Sequence, residues 1–115
     1  MKINNVELQD LDFMDAEVME RFEELQDEYN NKLQDKPDFE KTSELIRYHC
    51  EIVFDLFNGL FGDGTDKKVF GNKTNLLKCT KAVDELFMYI EASNKNYEKE
   101  FEAINKHVNR RRWIY

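Results

Sequence analysis

Between Phe39 and Leu60 the apolar residues Leu45, Ile46, Ile52, Val53, Leu56, Phe57 and Leu60, with His49 among them, recur at the three- and four-residue steps of an α-helix. The stripe is broad. A helix of this kind needs apolar neighbours on more than one side, and the rest of a 115-residue chain has to supply them. At this length folding buries roughly two-thirds of the surface exposed by the unfolded chain, enough for one modest core and not for two. The expected architecture is therefore a single domain over residues 1–115, built around a core helix at 38–61.

The flanking segments complete a mainly α fold class. Residues 1–14 alternate loosely around Ile3, Val6, Leu8, Leu11 and Phe13, with Asn4-Asn5 as a turn point, which predicts a short N-terminal β-hairpin or paired strands. Asp15 reads as an N-cap, and Val18, Phe22, Leu25, Tyr29 and Leu33 draw one apolar stripe along an otherwise acidic helix at 15–34. Lys36-Pro37-Asp38 breaks the chain, with Asp38 placed to cap the core helix. All four glycines fall between Gly59 and Gly71, and they frame a Gly-rich connector at 62–73 in which Thr65 or Asp66 is expected to cap a short helical turn.

Thr74 or Asn75 opens a long C-terminal helix at 74–109, whose apolar positions include Leu76, Cys79, Val83, Leu86, Ile90, Tyr97, Phe101, Ile104 and Val108. A helix of more than thirty residues spans about 45 Å, longer than a small domain is wide, so its end is expected to project or to pair with another chain. Ser93, Asn94 and Asn96 offer an alternative break into two helices. A basic and aromatic tail follows at 110–115.

Charge narrows the function classes. Residues 1–40 hold 13 acids against 4 bases, whereas residues 41–115 hold 11 acids against 13 bases. The acidic first half repels phosphates and disfavours direct nucleic-acid binding, while a basic protein surface would be attracted. The opening MKINNVELQD lacks the basic and apolar regions of a secretory signal, and no segment reaches the roughly 18 uninterrupted apolar residues of a membrane span. Cys50 and Cys79 are too few for a disulfide framework, which fits a reducing cytosol.

Catalytic and metal chemistry find little to stand on. His49, Cys50, Cys79 and His107 lack the paired spacings that close a zinc site, and Asp63 to Asp66 lacks the alternating acids of a calcium loop. The glycine-bearing segment with Lys67, Lys68 and Lys73 lacks the order of a phosphate-binding loop. No nucleophile stands in a suggestive context. The expectation is a protein that is not an enzyme, holds no cofactor and acts by binding proteins.

Candidate partner-binding residues lie in three places. Phe22 and Tyr29 belong to the stripe of the acidic helix. Phe54, Phe57, Phe61 and Phe70 place aromatic groups on several sides of the core helix and connector, so either the core wraps around this helix or part of it is an interface. Arg110, Arg111, Arg112 and Trp113 are of residue types enriched at binding hot spots, although basic residues also suit the C-terminus of a helix.

Two segments carry a resemblance: INNVELQDLDFMDAEVMERFE, from Ile3 to Glu23, and CEIVFDLFNGLFGDGTDKKVFGNKTNLLKC, from Cys50 to Cys79. Their I-N-G-V-E-L start, F-x-D-A-x-x-x-E-x-[FY]-E helix opening and C-x-x-V-F-x-x-F-x-x-x-F-G-x-G-T-x-x-K-V-F-G-x-K-x-N-L centre resemble a family of small siphophage and prophage proteins of Gram-positive bacteria, the tail assembly chaperones. Asn5 stands where the pattern has Gly, a departure confined to a turn. The resemblance implies a helix-rich, self-associating protein of the bacterial host cytoplasm that binds the tape-measure protein, assists tail-tube polymerisation and is absent from the mature virion. The alternative is an acidic phage-encoded inhibitor, anti-CRISPR-like or a DNA mimic, whose acidic helix occupies a basic groove of a host nucleic-acid-handling protein.

Overall fold

A computed structural model describes the backbone of residues 1–114 and the side chains of residues 1–106. The chain opens with a minimal hairpin: β1 (Lys2–Ile3) pairs antiparallel with β2 (Val6–Glu7), Ile3 opposite Val6. Asn4 and Asn5 form the turn with φ of 51° and 63°. Two consecutive left-handed residues are the signature of the type I′ turn, whose twist matches that of the strands, and Asn tolerates this region better than most residues. The hairpin is seated on the last helix: the Lys2 amide donates to the Tyr89 hydroxyl at 3.1 Å, the Asn4 amide to Glu85 Oε2 at 3.2 Å, and Asn4 Nδ2 to the Lys78 carbonyl at 3.2 Å.

Helix α1 (Ala16–Gln34) starts at Asp15, whose side chain accepts from the Glu17 amide at 2.9 Å. Helix α2 (Thr42–Phe61) begins four residues later than the sequence suggests, and Asp38 does not cap it; Lys41 takes the cap position in extended backbone without a side-chain bond. The extended approach lets Phe39 fold back on Tyr48, ring centroids 5.3 Å apart. Tyr48 in turn donates from its hydroxyl to the Lys32 carbonyl at 2.8 Å, tying α2 to the last turn of α1.

The connector holds α3 (Thr65–Phe70), but neither Thr65 nor Asp66 caps it. Gly64 occupies the cap in a left-handed conformation, φ 90°, and the Asp66 amide is taken by Asn58 Oδ1 of α2 at 2.9 Å. Thr65 points back instead, donating to the Gly62 carbonyl at 2.6 Å. Helix α4 runs unbroken from Leu76 to Ile114, opened by Asn75, whose side chain accepts from the Lys78 amide at 3.1 Å. Ser93 does not break it; its hydroxyl turns back into the helix and donates to the Tyr89 carbonyl at 3.2 Å instead of capping a new one.

The core lies where α1, α2, α3, the hairpin and the first four turns of α4 meet, around Ile3, Phe22, Phe57, Leu60, Phe70 and Leu86. Among the described residues of α4 the buried positions are Cys79, Ala82, Leu86 and Ile90. From Asn94 to Lys106 every residue is exposed. The molecule consequently measures 68 × 31 × 21 Å, with a radius of gyration of 18.5 Å. A compact chain of this length would have a radius of about 13 Å, and the difference is the projecting length of α4.

Candidate partner-binding surface

The aromatic residues of the two familiar segments turn inward. Phe22, Phe57 and Phe70, expected among the partner contacts, are 3%, 0% and 4% exposed, so their assignment is corrected to the core. Phe22 sits edge-on between Phe13 and Phe87, each at 6.0 Å, and Phe57 contacts Phe61 at 5.9 Å and Phe70 at 5.7 Å. Phe54 meets Phe70 at 5.1 Å. Tyr29, Phe54 and Phe61 are half-buried and pack against the same cluster. Of the two alternatives for α2, the core wraps around it. The reason is geometric: α3 folds back over α2 and covers the aromatic groups that a single amphipathic stripe would leave bare.

The recurrent positions of the centre motif thus have structural duties. Cys50, Val53, Phe57, Val69 and Phe70 fill the core, Gly62, Gly64 and Gly71 adopt φ of 110°, 90° and 65°, and Asn75 caps α4. The opening segment behaves likewise, Phe13 and Phe22 being buried and Asp15 capping α1. These motifs encode the scaffold.

The apolar surface left free lies elsewhere. Tyr97, Phe101 and Ile104 are 59%, 51% and 61% exposed on the projecting half of α4. Their spacing of four and three places them in one line, and the rings of Tyr97 and Phe101 stack at 6.2 Å, 13° apart. Tyr97 also borders a recess of about 350 Å³ at the point where α4 leaves the body, lined by Phe13, Met14, Met19 and Asn94. Recess and stripe form one continuous apolar track. Arg110, Arg111, Arg112 and Trp113 belong to the last turns of α4 by backbone, and their side chains lie outside the described residues. The sequence placed Tyr97, Phe101 and Ile104 on a helical stripe; the signal that they are free was the length of the helix.

Charge is organised on the opposite kind of surface. Glu17, Glu20, Glu23, Glu24, Asp27 and Glu28 are all exposed, and at 3.6 residues per turn they fall within about 140° of the circumference of α1, facing away from Phe22. None of the six takes part in an ion pair among the described residues, where the salt bridges join the N-terminal amine to Glu7 and Asp10, and Lys32 to Asp55. Arg21 borders this face and reaches across to α2, where it donates to the Leu60 carbonyl at 3.1 Å, satisfying an end carbonyl with a cation that suits the helix dipole.

Cys50 and Cys79 are both buried and reduced. Burial, and after it the neighbouring Cys50 thiol, pushes the Cys79 thiol up to about 12, which makes it a poor nucleophile and a poor metal ligand at neutral pH. Among the described residues no group of three or more His, Cys, Asp or Glu is placed to hold a metal ion, and no helix is long and apolar enough to cross a membrane.

Residues 4–113 match the family described as "Family of unknown function (DUF6673)". The chain belongs to this family. No curated protein and no solved structure matches it.

Proposed function

We infer that this member of the DUF6673 family is a phage tail assembly chaperone that binds the tape-measure protein and aids assembly of the tail tube. The observation that carries the reading is the apolar track on α4: Tyr97, Phe101 and Ile104 stand exposed on a helix that extends beyond the body. A long helical client offers the matching surface, because an amphipathic helix recognises a partner through residues spaced three and four apart. The acidic face of α1 keeps such a complex soluble. The resemblance of the segments from Ile3 to Glu23 and from Cys50 to Cys79 to tail chaperones supports the same role, carried out in the cytoplasm of the bacterial host before the virion is complete.

Co-expression with the tape-measure protein of the same genome, followed by size-exclusion chromatography with light scattering, tests the reading. A soluble complex with several copies per client is expected, and it should be lost when Tyr97, Phe101 and Ile104 are all replaced by Ser. An insoluble client, with this chain eluting without it, would overturn it. The six-carboxylate face of α1 favours a second reading, an acidic inhibitor of a basic host nucleic-acid-handling protein. That reading requires binding to a basic nuclease that weakens steeply with salt.

A further inference from the structure

We propose that the projecting half of α4 pairs antiparallel with the same segment of a second copy. The inference is independent of the tail-assembly reading and rests on three features of this helix.

The first is its seam. Ile90, Asn94, Tyr97, Phe101, Ile104 and Val108 follow one another at alternating steps of four and three, the spacing of core positions in a coiled coil. Within the body this seam is covered at Ile90, which is 5% exposed. Beyond Asn94 it is bare at Tyr97, Phe101 and Ile104. The polar Asn94 marks the boundary, and a polar residue at a core position fixes register at some expense of stability.

The second is charge. Residues 91–102 carry four acids and two bases, a net of −2, whereas residues 103–114 carry four bases and no acid, a net of +4. A parallel pair in register would lay each half against its own sign. An antiparallel pair centred between Glu102 and Ala103 lays the acidic half of each copy along the basic half of the other. This centre also sets position 97 opposite 108 and position 101 opposite 104, so each apolar seam position meets an apolar one, while Asn94 faces the polar position 111.

The third is the recess. In this register the last turns of one α4 reach the body of the other at its 91–94 segment, where Asn94 and Tyr97 border the apolar recess of about 350 Å³. The track is thereby covered along its whole length, and the two bodies sit at opposite ends of the pair. A client that uses the same track would have to displace the second copy.

Light scattering of the full chain alone, at micromolar concentration and low salt, reads the pairing directly. A mass of twice 13.9 kDa is expected. Phe101→Glu should return it to the monomer mass with an unchanged circular dichroism signal from the body, since this side chain touches no core residue, and added salt should raise the dissociation constant. Orientation is read by disulfide trapping, for which the native cysteines are buried and silent. Tyr97→Cys mixed with Val108→Cys should give a mixed disulfide, and Tyr97→Cys alone should give none, because its two copies would lie about 16 Å apart along the axis at 1.5 Å per residue. A monomer mass for the native chain, a dimer that survives Phe101→Glu, or a ready Tyr97→Cys homodisulfide would each overturn the proposal, the first leaving the track to a different partner and the last pointing to a parallel pair.

Discussion

Gly59 of α2 and Leu25 of α1 touch at the crossing of the two helices: a Cβ on Gly59 would stand 2.5 Å from Leu25 Cδ2 and 3.2 Å from Cδ1. Glycine inside a helix costs about 1 kcal/mol relative to alanine, so its presence here reflects the closeness of the crossing. The clash falls on the far end of a flexible, half-buried side chain. Gly59→Ala should therefore leave stability within about 1 kcal/mol of the parent, the gain in helix propensity offsetting the displacement of Leu25. Gly59→Leu should destabilise by more than about 1 kcal/mol, and Leu25→Ala should relieve part of that loss. Urea denaturation of Gly59→Ala, Gly59→Leu, Leu25→Ala and the Gly59→Leu/Leu25→Ala double variant checks the set.

The hairpin turn offers the opposite case. Asn5 is left-handed with φ 63°, where glycine carries no Cβ penalty and completes the Asn-Gly pair preferred by this turn. Asn5→Gly should stabilise by less than about 1 kcal/mol, seen as a shifted denaturation midpoint with unchanged slope. Asn4→Gly should not, because it removes the side-chain bond to the Lys78 carbonyl, a loss of about 1 kcal/mol.

Alkaline pH should loosen the fold. Cys79 keeps its proton to about 12 in the folded chain but releases it near 9.0 once unfolded. Above 9 the unfolded state binds fewer protons than the native one, so stability falls as pH rises toward 12. Tyr29, raised mainly by its own burial, adds to the fall from its ordinary value of 10.0 upward. Melting temperature followed from pH 8 to 11 should decline, and Cys79→Ala should flatten the early part of the curve.

Core and track should separate cleanly under mutation. Phe57→Ala empties a fully buried site and should destabilise by about 3 to 5 kcal/mol. Phe101→Ser alters an exposed position and should change the stability of the body by no more than about 0.5 kcal/mol, while abolishing binding to a helical client. A Phe101→Ser chain that still holds the client would remove the track from the proposed function.

Much of this architecture is legible in the sequence because the local signals agree with the tertiary outcome. The hairpin turn at Asn4-Asn5, the Asp15 cap, the stripe of α1 and the opening of α4 at Asn75 each depend on residues within a few positions of one another. The misreadings have a common cause in distant contacts. Asp38 was a sound cap by type, but Phe39 prefers the Tyr48 ring and holds the chain extended. Thr65 and Asp66 compete with Asn58, eight residues upstream of Asp66, for the start of α3.

The site shows the same division. Phe22, Phe57 and Phe70 look like surface hot spots by residue type, yet Phe22 is closed in between Phe13 and Phe87, and α3 returns over α2 to bury Phe57 and Phe70 against each other. Tyr97, Phe101 and Ile104 look like more core by spacing, yet nothing of the body extends far enough to cover them. Periodicity identifies a face that wants company; only the third dimension tells whether the chain itself provides it.

The single helix α4 spans two regimes of backbone protection. Amides near Cys79, Ala82, Leu86 and Ile90 are locked by packing and should exchange with solvent deuterium only when the whole body opens. Amides from Asn94 to Lys106 share the same hydrogen-bond ladder without any tertiary lock, and a helix of that length is marginal in water on its own propensity. Whatever binds the track therefore also sets how long those amides stay closed, so the exchange rate along one helix reports occupancy of the surface residue by residue.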